Sequence, residues 1–297
     1  MRRLSLSLFI MITIVIPTYN ERENIGPLIE ALQEEIREMP GKDFTILIID
    51  SNSPDGTGDV VREKMEKYDN VRLLSGPKAG LGADTTKGIR YALEKLKADI
   101  VVTMDADLSH DPKDVKRLIS RLGGNLKSDE EKSPNSSKPG LGEHNPGLSP
   151  SGFSDSAGPV QKVDYVIGSR YVRGGSIPEN WGLHRKFLSF FGNITARVLG
   201  VWQVRDQTPA FRAIRREVLE KISFENMPGG YAFQIALICR ANDAGAKFAE
   251  VPIHFTDREH GQSKMPMSTI LDTMRFLVKY RVRKILRPTL SESVRVQ

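Results

Sequence analysis

A regular alternation of short apolar runs with longer amphipathic stretches constrains this chain more than any other feature of its sequence. Four runs rich in β-branched residues predict strands, and three stretches with helical spacing between them predict helices. This order predicts an α/β fold with a mostly parallel central sheet and helices on both faces. The predicted strands are 12–16, 44–50, 71–75 and 100–105, and the predicted helices are 23–38, 59–68 and 85–97.

The same kinds of segment return in the second half of the chain. Apolar runs predict two further strands, and helical spacing predicts four further helices. The strands are 163–167 and 248–255, and the helices are 183–199, 215–222, 231–244 and 267–286.

Residues 123–162 interrupt the alternation. Ser, Gly and Pro dominate this segment and large apolar side chains are rare, so it cannot bury enough surface to order itself. We therefore predict a domain at 11–265 that contains a disordered insertion at 123–162. Residues 1–10 are predicted as an extension and 266–297 as a basic amphipathic helix with a tail. A separate domain at the insertion is the weaker alternative.

The beginning of the chain resembles a signal peptide only in part. Arg2 and Arg3 precede an uncharged stretch at 4–20, but no small-residue cleavage site follows it. The stretch is also short for a membrane span of about 20 apolar residues. We therefore expect a soluble or peripheral protein in the cytoplasm.

The charge balance is moderately basic. The chain has 43 Lys and Arg against 37 Asp and Glu, a net charge of +6. This fits an acidic membrane, a phosphorylated ligand or nucleic acid, although a solvated surface with a small cationic excess explains it equally well. Nucleic acid is the weakest of these because the basic residues are not concentrated around aromatics.

The single cysteine, Cys239, excludes an internal disulfide framework and a four-cysteine zinc site.

Acidic side chains follow two of the predicted strands. Asp105 and Asp107 come directly after a buried strand, and a pair of carboxylates with this spacing can hold Mg²⁺ or Mn²⁺ against the phosphates of a ligand. A turn or a helix cap is the alternative role, and it is the commoner one for an isolated Asp-Ala-Asp. Asp50 ends another strand, where it is either part of a turn or a carboxylate for a ribose or base.

The glycine-rich loops of the common nucleotide-binding folds do not occur. No G-x-G-x-x-G follows the first strand and no G-x-x-x-x-G-K-[ST] is found. A dinucleotide-dependent oxidoreductase and a P-loop enzyme are therefore both disfavoured.

Seven short motifs follow one another in a fixed order along the chain. They are IVIPTYNE at 14–21, ID at 49–50 with SPDGT at 53–57, GLG at 80–82, MDADLSH at 104–110, GSRY at 168–171, GYAFQI at 230–235, and EVPI at 250–253 with DR at 257–258 and GQSK at 261–264. With these motifs the chain resembles an inverting family 2 glycosyltransferase of the GT-A fold, and its later motifs resemble those of dolichol-phosphate mannosyltransferases. The resemblance covers about 11–121 and 163–286.

The resemblance implies roles for the matching residues. Asp107 and Arg170 would be the catalytic pair, and Asp105 and Asp107 would ligate Mg²⁺ or Mn²⁺. The main chain of Ala106 would lie against the donor. The nucleoside of GDP-mannose would contact Pro17, Tyr19, Glu21, Ile48 and Asp50, and the phosphates would contact Arg170, Arg258 and Lys264.

The implied reaction transfers mannose from GDP-mannose to a polyprenyl or dolichyl phosphate at a membrane surface. The acceptor phosphate is already ionised near neutral pH, so no strong general base is required. Two alternatives stay open: the same reaction with a UDP-sugar, and a catalytically weakened relative that binds sugar nucleotide or membrane.

Several positions depart from the family pattern. Ser51 and Asn52 stand where the family usually has Asp-Gly, and the helix after GLG begins with an unusually charged segment at 84–87. Residues 206–212 replace a segment that is usually richer in Ser and Gly, and Ala236 stands where an acidic residue is common. These changes bear on sugar and acceptor specificity more than on basic catalysis.

The last predicted helix combines an apolar stripe with a cationic end. Such a helix either lies in the headgroup layer of an anionic bilayer or packs its stripe on the sheet. A lipid-linked acceptor favours the membrane. The stripe consists of Ile270, Leu271, Met274, Leu277, Val278, Val282 and Ile285, and the cations are Lys279, Arg281, Arg283, Lys284 and Arg287.

Overall fold

The computed structural model describes residues 10–123, 162–178, 180–257 and 267–292. Strands and helices alternate through the first of these ranges, as the sequence predicts. The strands are β1 (Ile10–Thr18), β2 (Lys42–Asp50), β3 (Val71–Ser75), β4 (Ile100–Thr103), β5 (Tyr165–Ser169), β6 (Arg212–Arg215) and β7 (Phe248–Pro252). The helices are α1 (Arg22–Arg37), α2 (Thr57–Lys67), α3 (Leu81–Glu94), α4 (Asp114–Leu122), α5 (Leu183–Leu199), α6 (Arg216–Leu219), α7 (Gly230–Asp243) and α8 (Met267–Glu292).

The seven strands form one sheet in the order β3-β2-β1-β4-β6-β5-β7. All neighbouring strands are parallel except at β6, which runs antiparallel to both β4 and β5. The prediction of a mostly parallel sheet is therefore confirmed. The chain turns to the other side of β1 between β3 and β4, so a topological switch point lies at the β1–β4 edge, where α/β proteins bind ligands.

Helices cover both faces of this sheet, as predicted. Alternate residues of β1 point to opposite sides, so Ile14 packs under α1, α2 and α4, whereas Val15 packs under α3 and α7. On the second face, α8 packs on α7 through the buried side chains of Leu277 and Tyr280.

Helix α3 lies unusually close to the sheet because of Gly88. A Cβ atom at this position would stand 2.3 Å from Val15 Cγ1 and 3.0 Å from Ile49 Cγ1. Only glycine permits this approach, since atoms of neighbouring side chains cannot share that space. The middle of α3 is consequently held against β1 and β2.

Two elements correct the sequence predictions. The helix predicted at 215–222 is shorter in the structure, where α6 spans only Arg216–Leu219, and Arg215 belongs to strand β6. Strand β6 (Arg212–Arg215) was not predicted, and it forms by pairing with β4 on one side and β5 on the other. Helix α4 was not predicted, although Val115, Leu118 and Leu122 have helical spacing and are buried.

Other boundaries differ by a few residues. β4 ends at Thr103 and β7 at Pro252, whereas the predicted strands continued to 105 and 255. Residues 1–9, which make up nearly all of the predicted extension, and residues 124–161 of the predicted insertion lie outside the described residues. The division into domain, insertion and tail stays a prediction. Among the helices in the described part of the chain, none has an apolar stretch long enough to cross a membrane.

Candidate active site

Three strands whose ends carry motif residues, β1, β2 and β4, are neighbours in the sheet. β1 stands between β2 and β4, with Thr18 beside Asp50 and Val15 beside Thr103. The strands are parallel, so their carboxyl ends meet at one edge of the sheet. The fold therefore brings Asp50 and the Asp105–Asp107 segment to the same edge, on either side of the end of β1.

The end of β1 contributes one exposed aromatic ring. Tyr19 directly follows the strand, and the Nζ atom of Lys78 lies 3.4 Å above the centre of its ring. Pro17 is half-buried two positions earlier, whereas Ile48 in β2 is fully buried in the core. In this structure Ile48 packs beneath the strand ends, and its contact with a nucleoside stays a prediction.

Asp50 is buried and held by its neighbours. The Ser53 hydroxyl donates a 2.6 Å hydrogen bond to Asp50 Oδ1, and the Ser53 N–H donates to Oδ2 at 3.2 Å. The Thr18 hydroxyl donates to Oδ1 at 3.4 Å. The carboxylate thus closes the turn after β2, and its position at the strand end is the one expected for a ribose or base contact.

The loop after this turn is joined to the start of α1. The Glu21 N–H donates to the Thr57 hydroxyl at 2.9 Å, and the Arg22 N–H donates to Asp55 Oδ2 at 3.1 Å. Burial raises the pKa of Asp55, but hydrogen bonds from Thr57 and Arg22 outweigh burial and lower it below its usual value. The Glu21 carboxylate accepts a 2.7 Å bond from the Asn24 amide, so Glu21 is fixed at the rim of the site.

The structure explains one departure from the family pattern. Asn52 has a φ of 48°, in the left-handed region. Glycine adopts this conformation without strain and Asn tolerates it better than most residues, so Asn can replace the Gly of the family pattern here.

The Asp105–Asp107 segment follows β4 as a tight loop. Asp107 is buried, and its Oδ1 atom accepts bonds from the Ser109 N–H at 3.1 Å and the Ser109 hydroxyl at 2.6 Å. The Asp105 N–H donates to His110 Nδ1 at 3.3 Å. The His110 ring stacks on Phe211 with 5.0 Å between ring centres, which fixes the far end of the loop.

The donor set of this loop fits a hard divalent cation. Asp105 is half-buried and Asp107 buried, and Ala106 between them is 3% exposed. The described residues contain no group of three or more His, Cys, Asp and Glu side chains that could enclose a metal. Two carboxylates alone match the way Mg²⁺ is usually held, with few protein ligands and the phosphates of a substrate completing its coordination.

Arg170 makes a buried ion pair that the sequence did not predict. Its Nε and one terminal nitrogen donate to the two oxygens of Asp206 at 2.8 and 2.9 Å, and the same terminal nitrogen donates to the Thr208 hydroxyl at 2.6 Å. Burial raises the pKa of Asp206, but the Arg170 charge outweighs burial and lowers it. Burial lowers the pKa of Arg170, and Asp206 in turn outweighs that and raises it.

The segment after β7 connects Arg170 with the Asp105–Asp107 loop. The Thr256 N–H donates to the Ser109 carbonyl at 3.2 Å, and the Arg170 guanidinium lies 5.3 Å from the centre of the Phe255 ring. Phe255 also contacts the edge of the His110 ring. Arg258 and Lys264, which were predicted to contact phosphates, follow this segment but lie outside the described residues.

The structure reveals supporting residues that the sequence analysis gave no role. The Glu250 carboxylate accepts bonds from the N–H groups of Arg205 and Asp206, which holds the loop that carries the partner of Arg170. The buried Arg212 donates to the Tyr165 hydroxyl and to main-chain carbonyls of the same region. These partners are far apart in sequence, so no local pattern indicates them. The one available indication was Asp206, an acidic residue in the segment at 206–212 that departs from the family pattern.

Comparisons with known proteins agree with this architecture. Residues 13–128 match the family described as "Glycosyl transferase family 2". Polyprenol monophosphomannose synthase of Mycolicibacterium smegmatis is 35% identical over 273 residues, which cover 91% of this chain and 86% of that protein. Undecaprenyl-phosphate mannosyltransferase of Micrococcus luteus is 32% identical over 253 residues, which cover 84% and 86%.

A solved structure has a similar fold. Glucosyl-3-phosphoglycerate synthase of Mycobacterium tuberculosis with bound UDP gives a TM-score of 0.56 at 18% identity, covering 92% of this chain and 79% of that one. The same enzyme with Mn²⁺, UDP and glucosyl-3-phosphoglycerate gives 0.51 at 19% identity, covering 91% and 78%.

The chain therefore belongs to glycosyltransferase family 2, and it is a glycosyltransferase. Its sheet and helices have the GT-A fold, as the resemblance of its motifs implied.

Proposed function

We propose that this glycosyltransferase moves mannose from GDP-mannose to a polyprenyl or dolichyl phosphate, with inversion at the sugar and with Mg²⁺ or Mn²⁺ as cofactor. The proposal is carried by the two relatives, which match this chain over most of both lengths. The name of each describes the transfer of mannose to a polyprenyl lipid. The protein would work peripherally, on the cytoplasmic face of a membrane.

The residues of the sheet edge divide into two groups. Asp50, with Tyr19 and Glu21 beside it, would bind the nucleoside, because these side chains lie together at the ends of β1 and β2. Asp105 and Asp107 would hold the metal at the end of β4. When bound, the metal stabilises the negative charge of the departing diphosphate. The Mn²⁺ in the solved enzyme of similar fold supports this choice of cofactor.

The acceptor needs orientation more than activation. A phosphate monoester is ionised near neutral pH, so its oxygen is already a nucleophile and the protein must only align it. Hydrogen bonds to Asp206 and Thr208 hold the Arg170 side chain in one orientation. Its guanidinium lies beside Phe255, in the segment after β7 that contacts the Asp105–Asp107 loop. A cation held in this way would orient phosphate without losing much side-chain freedom on binding.

The lipid tail of such an acceptor requires an apolar surface, and two helices supply one. Helix α5 buries only Asn193 and Ala196 on the protein. Most of its large apolar side chains are exposed, and so is Trp202 just after it. The exposed set is Leu183, Phe187, Leu188, Phe190, Phe191, Ile194, Val198 and Trp202.

Helix α8 packs against α5 and α7 and carries further exposed apolar side chains. Of its predicted stripe, only Leu277 is fully buried, and Tyr280 is buried beside it. A narrow line of α8 therefore packs on α5 and α7, and the rest of the stripe faces outward. The contact of this outward stripe with a membrane is part of the proposal. The exposed residues are Leu271, Met274, Val278, Val282, Ile285 and Leu286.

The cations near this surface are not equivalent. Arg283 and Lys284 pair with Asp243 at 3.1 and 2.8 Å, so their charge is partly compensated within the protein. Lys279 and Arg281 are exposed on α8. We therefore assign Lys279 and Arg281 the larger part of the attraction to anionic headgroups, and the α5 side chains the apolar part.

Vesicle binding tests this membrane surface. Changing Phe187, Phe190 and Phe191 to Ser is expected to weaken binding to anionic vesicles at least about tenfold, since a fully buried Phe contributes about 1.5–3 kcal/mol. Changing Lys279 and Arg281 to Gln should weaken it less and remove much of its salt dependence. Sedimentation with vesicles at low and high salt measures both effects.

The matched control is Met65→Ser. Met65 is an exposed apolar residue of α2, on the opposite face of the sheet, so its change should leave vesicle binding unaltered. Equal binding by wild type and the triple Phe variant would rule out α5 as the membrane contact.

A donor panel tests the reaction itself. Purified protein is supplied with a short polyprenyl phosphate, Mg²⁺ or Mn²⁺, and labelled GDP-mannose or UDP-sugars, and the labelled lipid is extracted and counted. GDP-mannose is expected to give the fastest turnover, with loss of signal when the lipid lacks its phosphate. Faster turnover with a UDP-sugar would replace the donor assignment, and no turnover with any donor would favour a weakened relative that only binds.

A further inference from the structure

Two positions at which the chain departs from the family pattern contact each other. The Ser51 hydroxyl donates a 2.7 Å hydrogen bond to Asp84 Oδ2. Ser51 stands where the family usually has Asp, and Asp84 stands where relatives are mostly less charged. Thirty-three positions separate the two residues, so only the fold reveals that the two departures form one unit.

This contact lies at the nucleoside end of the site. Ser51 directly follows Asp50, and its N–H donates to the Thr18 carbonyl at 3.1 Å, which ties it to the end of β1. Asp84 lies in the first turn of α3, the helix that Gly88 allows to approach the sheet. A displacement of the Asp84–Ser51 contact would therefore move the turn that carries Asp50.

Burial makes the Asp84 carboxylate costly to keep. Ser51 is 5% and Asp84 7% exposed, and a buried carboxylate lowers stability unless hydrogen bonds and favourable charges compensate it. The Ser51 hydroxyl supplies a hydrogen bond, and the N-terminal end of the α3 dipole favours a negative charge at this position. The local structure is thus built to retain a carboxylate between α3 and the end of β2.

We propose that Asp84 is a positioning residue of the donor site. Its carboxylate supplies, from α3, the negative charge that the family pattern carries at position 51, and it holds the turn that orients Asp50. This inference rests on the proposed role of Asp50 in binding the donor nucleoside. It predicts that nucleotide binding is retained when the carboxylate is placed at position 51 and the hydroxyl at position 84.

A swap of the two side chains is the test. The Kd values of GDP and UDP with Mn²⁺ are measured by calorimetry for wild type, Asp84→Ser, and the double variant Ser51→Asp with Asp84→Ser. The single variant is expected to bind the preferred nucleotide about tenfold more weakly, the size of effect typical for losing a hydrogen bond to a charged group. The double variant should return to within about threefold of wild type. KM for the sugar donor should follow Kd, while kcat changes little.

Asp59→Ser is the matched control. Asp59 is also the acidic residue in the first turn of a helix, but it is exposed on α2, so its loss should change neither nucleotide affinity nor KM. Nucleotide affinity in Asp84→Ser equal to that of wild type would overturn the proposal. So would a folded double variant that binds more than about tenfold more weakly than wild type, a criterion that applies even where Asp84→Ser alone does not fold.

The readouts separate this inference from the proposed function. If the wild type binds UDP more tightly than GDP, only the assignment of GDP-mannose as donor is overturned. The effect of the swap is then judged from the Kd values of UDP. A wild type that binds neither nucleotide would overturn both.

Discussion

Asp107→Asn is expected to remove nearly all turnover, by about a thousandfold or more, while the protein stays folded. The loss reflects about 4 kcal/mol of transition-state stabilisation, the scale on which a metal or an equivalent charge acts on a leaving group. The side-chain oxygen of Asn can still accept the two bonds from Ser109 that Asp107 Oδ1 accepts. The substitution therefore removes the charge while retaining the shape of the loop.

Turnover of the labelled donor and the melting temperature are measured together. Asp111→Asn is the control. Like Asp107, Asp111 accepts a hydrogen bond from the N–H two residues later, that of Lys113 at 3.0 Å, but it is exposed in the segment before α4. It should keep full activity. Wild type in excess chelator should behave like Asp107→Asn. Full activity in the Asp107 variant, or in chelator, would show that the metal role is wrong.

Asp206→Asn is expected to lower the free energy of unfolding by about 3–5 kcal/mol, the cost of leaving a buried charge unpaired. The Arg170 side chain is 8% exposed and that of Asp206 is fully buried, so water cannot compensate the lost carboxylate. Urea unfolding at pH 7 measures the difference. Asp272→Asn is the control, since its pair with Arg275 is exposed and should contribute about 1 kcal/mol or less.

The same pair gives the wild type a defined sensitivity to acid. The pKa of Asp206 is lowered in the folded protein because Arg170 outweighs the effect of burial. A lowered folded pKa stabilises the protein above the unfolded value of about 3.9, and this contribution is lost as the pH falls below it. The wild type should lose stability below about pH 4 more steeply than Asp206→Asn, which has no carboxylate to protonate. Parallel pH profiles for the two proteins would contradict this account.

Replacing both members of the pair separates stability from function. Arg170→Met with Asp206→Leu removes both charges at once, so it should regain most of the stability that Asp206→Asn loses. We expect it to remain inactive if Arg170 orients the acceptor phosphate. Recovery of both stability and turnover would mean that Arg170 only packs.

The sequence carried enough information to predict the strands that build the site. The runs that contain Ile14 and Ile46 place apolar residues on both faces of their strands, which is typical of strands buried between two layers of helices. Because such strands pair in parallel, their carboxyl ends meet at one edge of the sheet. Asp50 ends such a strand and Asp107 follows another, so their place at one edge follows from the pattern alone. The motifs added the family, which the relatives confirm.

Other features depend on partners that are remote in the chain. Strand β6 is only four residues long and was not predicted, and it is defined by its pairing with β4 and β5. The apolar spacing of α5 was visible, but a stripe that packs on a core and a stripe that faces outward have the same spacing. Only the structure shows that Phe187 and its neighbours are exposed.

The sequence by itself determined the fold class, the parallel strand ends and the residues that carry charge there, because periodicity and strand ends are local properties of the chain. The tertiary structure alone decided which polar side chains contact each other. It pairs Arg170 with Asp206 and brings the Ser51 hydroxyl to the Asp84 carboxylate. Hydrogen bonds and ion pairs act over a few ångströms, and residues separated by more than 30 positions reach that distance only after the sheet and helices have packed.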